Sequence, residues 1–203
     1  NHEGCFTLAL IDCTGHGVPG SLMSMLVVST LNRIYSEKPE IGPGEALAKL
    51  GNLVRTALNQ DREDCQSNDG FDAGLCKIDC QKGTVTFSGA RTNCFVVPKE
   101  NLSVMRLAGE KQALGYPGQL PYTALEEYDL TIDNCETFFM ASDGVLDQPG
   151  GDPARDLGVG PRGVLEVLAD DGGAGNRRGD PLGGLERVAG VGDVVAGDHQ
   201  GRQ

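Results

Sequence analysis

The chain has 203 residues, of which 29 are acidic and 17 basic, so its formal net charge at pH 7 is -12 and its pI is about 4.6. This length suits one domain with a substantial core, or one domain with a tail, and excludes two full domains. The acidic balance argues against nucleic acid or an anionic membrane surface as the main partner, because both would repel the chain at long range.

The first part of the sequence predicts one strand and two helices. Residues 6–12 have the pattern of a largely buried strand. A glycine-rich turn over residues 14–20 follows, and its end suits the start of a helix. Residues 22–35 are apolar on nearly every side, which predicts a helix buried between layers. A second helix is predicted over residues 45–59, where the apolar positions share one face.

Short strands dominate the next part of the sequence. They are predicted over residues 71–79, 84–89, 94–97, 103–107, 125–132 and 137–142. Strands that follow one another across short Gly, Asn or Lys turns are most simply paired antiparallel. The predicted fold class is therefore α+β, with antiparallel sheet and helices packed against it.

The composition changes abruptly after Gly150. Residues 151–203 contain no Ser, Thr, Lys, Ile, Met, Cys or aromatic residue, and consist mainly of Gly, Ala, Val, Leu, Asp, Pro and Arg. Two interpretations are open: a flexible low-complexity extension, or out-of-frame translation of GC-rich DNA, whose codons give mainly this set of residues. We favour the second. A domain at 1–150 and a tail at 151–203 follow from this boundary.

The seven cysteines are scattered and include no CxxC pair of the kind found in zinc sites. We predict reduced thiols in a cytoplasmic protein, several of them buried as small apolar residues. No run reaches the roughly 18 apolar residues of a membrane span, and no signal peptide pattern opens the chain. Because the first residue is Asn1, we expect a piece of a longer protein, which leaves an upstream membrane anchor open.

Two carboxylates end predicted strands: Asp12 before a glycine turn and Asp143 before Gly144. Ordinary turn chemistry explains either aspartate taken alone. If the two strands are neighbours, the carboxylates converge, and like charges that close need protons or cations to offset them. An oxygen-rich site of this kind favours Mg²⁺ or Mn²⁺ over zinc.

Five segments between residues 5 and 151 carry motifs that surround these carboxylates. They are Ile11-Asp12-Cys13-Thr14-Gly15-His16-Gly17-Val18-Pro19-Gly20, Asp69-Gly70-Phe71-Asp72-Ala73-Gly74-Leu75-Cys76, Phe87-Ser88-Gly89-Ala90-Arg91, residues 109–115, and Ser142-Asp143-Gly144-Val145-Leu146-Asp147-Gln148 at the end of residues 138–148. In this order they resemble the motifs of SpoIIE-like metal-dependent serine/threonine phosphatases, a bacterial branch of the protein phosphatase 2C superfamily. Any one motif would be a weak signal, whereas five in the family's order are highly specific.

The resemblance implies a protein phosphatase 2C-like fold, an antiparallel β-sandwich flanked by helices. It also implies a phosphomonoesterase in which two Mn²⁺ or Mg²⁺ ions share bridging carboxylates and activate a water for in-line attack on phosphorus. By resemblance Asp12 is the bridging ligand, Cys13 lends its backbone carbonyl, and Asp143 is a ligand from the last motif. Two roles stay open for His16: protonation of the leaving serine oxygen, or stabilisation of the turn.

Two parts of the family pattern are absent from this sequence. The Gly-Gly-Asp segment that supplies another metal ligand would fall before Asn1, so we expect a domain truncated at its N-terminus. The final Asp-Asp-x-Thr strand has only a faint echo at Gly192-Asp193-Val194-Val195. We therefore expect weak metal binding and low turnover from this piece, even if the parent protein is an active enzyme.

The resemblance further implies a phosphoserine or phosphothreonine substrate on a small partner, an anti-sigma-factor antagonist of the STAS type, in bacterial signalling. Dephosphorylation would remove about two negative charges from that partner's binding face. Two alternatives stay open: a catalytically silent signalling module of the same fold, which metal content would distinguish, and a small-molecule phosphatase. An upstream sensor domain, membrane-bound or cytoplasmic, and a homodimer are also left open.

Overall fold

The fold was analysed in a computed structural model that describes residues 4–62, 64–99 and 104–142. The described residues form two helices, seven strands and one 3-10 turn at Ile132–Asn134. In chain order the helices and strands are β1 (Cys5–Cys13), α1 (Gly17–Glu37), α2 (Pro43–Ala57), β2 (Phe71–Asp79), β3 (Thr84–Ala90), β4 (Cys94–Pro98), β5 (Met105–Leu107), β6 (Tyr128–Thr131) and β7 (Cys135–Met140). The predicted α+β class is confirmed.

Two antiparallel sheets pack face to face. The first has the strand order β1-β2-β3-β6 and the second the order β5-β4-β7. Alternate residues of β2 serve two different cores, since successive side chains of a strand point to opposite faces. Cys76 and Ile78 are buried against the second sheet, whereas Phe71, Ala73 and Leu75 are buried against the helices.

Both helices pack on the outer face of the first sheet. Helix α2 begins with Pro43, whose fixed φ suits the first turn, and buries Leu47, Leu50 and Val54 in the core beneath it. Its acidic Glu45 lies in the first turn, where a negative charge is favoured by the helix dipole. The described molecule is thus three layers deep: helices, first sheet, second sheet.

The prediction that residues 22–35 form a helix buried between layers is wrong in its burial. Helix α1 lies in the outer layer, and Val18, Leu22 and Met25 on its outer side are 72%, 62% and 69% exposed. Its inner side buries Met23 and Val27 against the first sheet and α2. No described helix or strand covers the outer side, so an apolar pattern all round the helix does not here mean burial all round.

Strands β1 and β7 are not hydrogen-bonded neighbours, so the convergence of Asp12 and Asp143 does not follow from a shared ladder and stays a prediction. Strand β1, which carries Asp12, belongs to the first sheet, whereas β7, which precedes Asp143, belongs to the second. The two strands face each other across the sandwich rather than sharing a ladder. The end of β7 does reach the inner face of the first sheet, because a Cβ on Gly74 would lie 2.8 Å from Met140 Sδ. Asp143 itself lies outside the described residues, as do residues 151–203.

All seven cysteines are free thiols, as predicted. Cys76 and Cys94 are fully buried between the two sheets, and the Cys76 thiol lies 3.8 Å from Met140 Sδ. Within the described ranges no helix is both long enough and apolar enough to cross a membrane.

Candidate active site

A sharp glycine turn joins the end of β1 to the start of α1. Gly15 and Gly17 have φ values of +90° and +63°, in the left-handed region that favours glycine. Gly20, in the first turn of α1, is packed so closely that a Cβ would lie 2.6 Å from the carbonyl oxygen of Gly15. These glycines allow the helix to fold back directly onto the end of the strand that carries Asp12.

Thr14 ties this turn to the start of β2. Its backbone N–H donates to the carbonyl oxygen of Gly70 at 2.9 Å, and its Oγ1 accepts from the Gly70 N–H at 3.0 Å. The same Oγ1 lies 3.4 Å from Asp69 Oδ1. A threonine therefore suits this position, because its hydroxyl accepts from the Gly70 N–H and also donates to the Gly70 carbonyl oxygen at 3.1 Å.

Gln60 holds the other side of that segment and is 1% exposed. Its Nε2 donates to the carbonyl oxygens of Asp69 and Gly115, both at 2.7 Å, and its Oε1 accepts from the Asp69 N–H at 2.8 Å. A buried amide with its donors and acceptor used in this way fixes loop geometry, since unpaired buried polar groups are costly. The end of β1 and the start of β2 thus have defined positions.

Two carboxylates face each other across these strand ends. The register of β1 and β2 pairs Asp12 directly with Asp72, which sets both on the same face of the first sheet. Asp12 is exposed and Asp72 is half-buried. Directly opposed side chains of an antiparallel pair have Cβ atoms about 4.5–5.5 Å apart, and like charges at that spacing are destabilising. Such a pair calls for a cation.

Asp72 was not singled out from the sequence, although it lies inside one of the five motifs. The signal that could have identified it is an aspartate at the second position of a strand that is otherwise largely buried, because Asp is depleted in strands. A second signal is the antiparallel pairing itself. Once β1 and β2 are paired, an aspartate at each matching strand end makes the two meet.

Arg91 and Tyr116 complete the surroundings of this pair. Arg91 Nε lies 3.5 Å from Asp72 Oδ2, so one cation already stands beside the carboxylates. The ring of Tyr116 occupies the space where a Cβ on Gly70 would otherwise be. Burial raises the pKa of the Tyr116 hydroxyl, Asp72 raises that pKa further and Arg91 opposes the rise. The phenol is therefore neutral at pH 7 and electrostatically part of the same cluster.

Of the other residues predicted from the sequence, the structure describes Cys13 and His16 but not Asp143. Burial raises the pKa of the Cys13 thiol, a hydrogen bond with Ser24 opposes the rise and the nearby Asp12 charge adds to it, so the metal-free thiol is protonated at pH 7. His16 is the exposed N-cap residue of α1 and makes no capping hydrogen bond through its side chain. Both roles suggested for His16 stay predictions. The metal-ligand role of Asp143 stays a prediction outside the described residues.

The donor chemistry fits Mg²⁺ or Mn²⁺. Within the described part of the chain, no group of three or more His, Cys, Asp and Glu side chains could hold a metal ion. Asp12 and Asp72 provide oxygen donors, and Mg²⁺ is commonly held by one or two carboxylates while water and substrate phosphate complete its shell. Zinc sites in proteins usually include Cys or His ligands, which this pair does not offer.

A family model described as Stage II sporulation protein E (SpoIIE) matches residues 2–175. The chain belongs to the SpoIIE family. The resemblance carried by the five motifs is thereby confirmed. No curated protein sequence matches the chain.

Solved structures agree on the fold. The SiaA-PP2C domain of Pseudomonas aeruginosa is similar with a TM-score of 0.63 and 23% identity, over 98% of this chain and 77% of that chain. The PP2C phosphatase domain of SpoIIE from Bacillus subtilis is similar with a TM-score of 0.56 and 14% identity, over 93% of this chain and 48% of that chain. A structure described under the bacterial stressosome as a modular system adapted to control secondary messenger signalling has a TM-score of 0.52 and 21% identity, over 94% of this chain and 79% of that chain. The predicted protein phosphatase 2C-like fold is confirmed.

Proposed function

We propose that this chain is a metal-dependent phosphatase that hydrolyses phosphoserine or phosphothreonine on a regulatory partner protein. The observation that carries the proposal is the cross-strand pair of Asp12 and Asp72 beside a glycine turn. Membership of the SpoIIE family supports it. Two opposed carboxylates destabilise a sheet end unless a cation offsets their charge. A divalent cation such as Mg²⁺ fits this pair of oxygen ligands.

In this mechanism Asp12 and Asp72 hold the metal, with the backbone carbonyl of Cys13 as a further candidate donor. When bound, Mg²⁺ or Mn²⁺ supplies a Lewis acid and a water of lowered pKa. The carboxylates also favour a mechanism with a bound cation, because a phosphomonoester carries nearly two negative charges at pH 7 and bare carboxylates would repel it. His16 is the candidate that protonates the leaving oxygen, and Asp143 is the further ligand predicted from the last motif.

The proposed partner is a phosphorylated STAS-type anti-sigma-factor antagonist or a similar regulatory protein, in the cytoplasm. The net charge of -12 supports a protein partner over nucleic acid. A similar structure described under the bacterial stressosome supports a place in signalling. The partner would be recognised outside the metal site, because a phosphorylated side chain alone does not distinguish one protein from another.

A second candidate is a catalytically silent signalling module of the same fold. The observation that favours it is that the described residues contain no group of three or more metal-binding side chains. The two candidates differ in bound metal. An active phosphatase requires stoichiometric Mn²⁺ or Mg²⁺, whereas a silent module binds its partner without it.

The test is phosphate release from phosphoserine, phosphothreonine and phosphotyrosine peptides by the full chain, with Mn²⁺, with Mg²⁺ and with EDTA. We expect release from the first two peptides with Mn²⁺ or Mg²⁺, loss of activity in EDTA and recovery when metal is returned. Elemental analysis of the dialysed protein measures the bound ion. Full activity in EDTA would exclude the metal mechanism. Absence of turnover together with absence of bound metal would favour the silent module.

A further inference from the structure

Arg91 extends the row of charged residues across a third strand. The register pairs Asp12 with Asp72 and Gly74 with Gly89, so the residue that follows β3 lies beside the same end of the sheet. Arg91 Nε contacts Asp72 Oδ2 at 3.5 Å, while 55% of the arginine side chain is exposed. The guanidinium is therefore held at the site by one carboxylate and still open to a ligand from solvent.

The backbone at Arg91 has a conformation that arginine seldom adopts. Its φ is +55°, and among the described residues the other non-glycine residue with positive φ is Asn59, a residue type that tolerates this region. Two backbone contacts fix the conformation: the Arg91 N–H donates to the Glu110 carbonyl oxygen at 2.7 Å, and Arg91 forms a bridge with Ala73. Strain of this kind persists where the surroundings impose it, often at functional sites.

We propose that Arg91 binds the phosphoryl group of the substrate and that its ion pair with Asp72 orients it for this role. This inference rests on the proposed function and assigns the recognition of the phosphoryl group to one residue of the site. Arginine has five N–H donors in a rigid planar fork that matches phosphate oxygens, and the contact with Asp72 involves Nε. The terminal nitrogens are the donors for the phosphate.

The charges of the site require such a group. Asp12 and Asp72 present two negative charges to an incoming phosphomonoester that carries nearly two of its own. An exposed cation fixed beside them attracts the phosphoryl group and sets its orientation before hydrolysis. The positive φ at Arg91 aligns the start of the next loop so that this side chain reaches Asp72 from the neighbouring strand.

The competing role for Arg91 is to neutralise the charge of the carboxylates. The substitution Arg91→Lys distinguishes this role from phosphate binding. A lysine keeps the positive charge beside Asp72, but it lacks the planar fork that binds two phosphate oxygens at once. If Arg91 only offsets the carboxylates, Arg91→Lys behaves like the unaltered chain. If Arg91 binds phosphate, Arg91→Lys keeps the thermal stability of the metal-free protein and loses affinity for the substrate.

The experiment is steady-state hydrolysis of a phosphothreonine peptide by the Mn²⁺-loaded full chain, with inorganic phosphate as competing product. We expect Arg91→Ala to raise both KM and the inhibition constant of phosphate about tenfold to a hundredfold, the range for one lost hydrogen bond to a charged group, with a smaller change in kcat. Arg91→Lys should recover part of this affinity. Arg106→Ala is the matched control, because Arg106 is exposed on β5 of the second sheet, and it should change neither constant.

Unchanged KM and unchanged phosphate inhibition in Arg91→Ala, with a native circular dichroism spectrum, would overturn the inference. If the alanine variant does not fold, the lysine variant decides in the same way: raised constants support the inference, and constants equal to those of the unaltered chain overturn it. If no variant and no unaltered chain hydrolyses the peptide, the proposed function fails separately. Calorimetric titration with inorganic phosphate, with Mn²⁺ present, then decides the inference: weaker binding by Arg91→Ala supports it, and equal binding overturns it.

Discussion

The two ends of the first sheet use aspartate in opposite ways. At one end, Asp79 closes the turn between β2 and β3, where its Oδ1 accepts the backbone N–H groups of Gln81 and Lys82 and its Oδ2 pairs with Lys82 Nζ at 3.1 Å. At the other end, Asp12 and Asp72 oppose each other across β1 and β2. One end satisfies its carboxylate from its own turn, and the other sets two carboxylates against each other.

The difference separates a structural aspartate from a candidate functional one. All three residues lie near a glycine or a strand end, so the local sequence pattern does not distinguish them. The neighbouring charges do, because Asp79 is stabilised by its own turn while Asp72 lies between a second carboxylate and Arg91. Hydrogen bonds from the Lys82 backbone and side chain lower the pKa of Asp79, whereas Asp12 and Asp72 face a like charge. The second arrangement is the one that a bound cation would stabilise.

The largest expected effect is on turnover. Asp12→Asn should lower kcat/KM by about a hundredfold or more, the scale for losing one electrostatic partner of the transition state, because it removes one charge of the proposed metal site. Asp79→Asn, the matched change at the other end of the sheet, should leave kcat/KM within about twofold. Phosphopeptide hydrolysis at saturating Mn²⁺ measures both.

Circular dichroism and thermal unfolding in EDTA are the controls for this pair. Asp12→Asn should keep the fold and the stability of the metal-free protein, because the amide relieves a like-charge contact. Equal turnover by both variants would remove the contrast between the two sheet ends and the metal role of Asp12 with it.

The next largest effect contrasts two glycines. Gly70→Ala should destabilise the protein by about 1–3 kcal/mol, because its Cβ would overlap the ring of Tyr116 beside the carboxylates. Gly83→Ala in the opposite turn meets nothing within 4 Å, and only its φ of +64° disfavours alanine, which costs about 1 kcal/mol. Urea unfolding measures both changes.

The two glycine variants should also differ in phosphatase turnover. Gly70→Ala should also reduce turnover, since Thr14 and Gln60 locate the strand ends through the segment that contains Gly70. Gly83→Ala should leave turnover unchanged. A Gly70→Ala variant with native stability and native turnover would mean that Tyr116 does not pack against this end of the sheet in solution.

Local sequence patterns predicted a strand well where apolar side chains are buried on both of its faces. The prediction over residues 71–79 matches β2 at both ends, because six of its nine residues are apolar or glycine and the apolar ones pack into one core or the other. The prediction over residues 125–132 is too long, since β6 covers only Tyr128–Thr131. Leu125 lies before this strand and is buried in another place. Its side chain packs into the helix-side core, and its N–H donates to the Gly44 carbonyl oxygen at 3.3 Å.

Long-range arrangement is what the sequence did not reveal. The five motifs predicted the family and the fold, and Asp12 was identified as a candidate ligand. The sheet in which each strand lies depends on pairings between residues far apart in the chain, so the sequence left open whether the strands that precede Asp12 and Asp143 are neighbours, and β1 and β7 lie in different sheets. The same limit hid Asp72 and Arg91, because each becomes a candidate only when the partner strand sets it beside Asp12 or Asp72.

The smallest expected effect is the pH dependence of stability at Asp79. The folded state lowers the pKa of this carboxyl, chiefly through hydrogen bonds from the backbone and side chain of Lys82, so folding favours the carboxylate. The stabilisation is fully present above the unfolded-state pKa of about 3.9 and is lost as the pH falls through the lower folded-state pKa. Asp79→Asn should therefore be slightly less stable than the unaltered chain at pH 7, and the two stabilities should converge below about pH 3. Urea unfolding of the metal-free proteins between pH 7 and pH 2.5 measures this. A difference that stays constant over that range would mean that the turn depends on the shape of residue 79 and not on its charge.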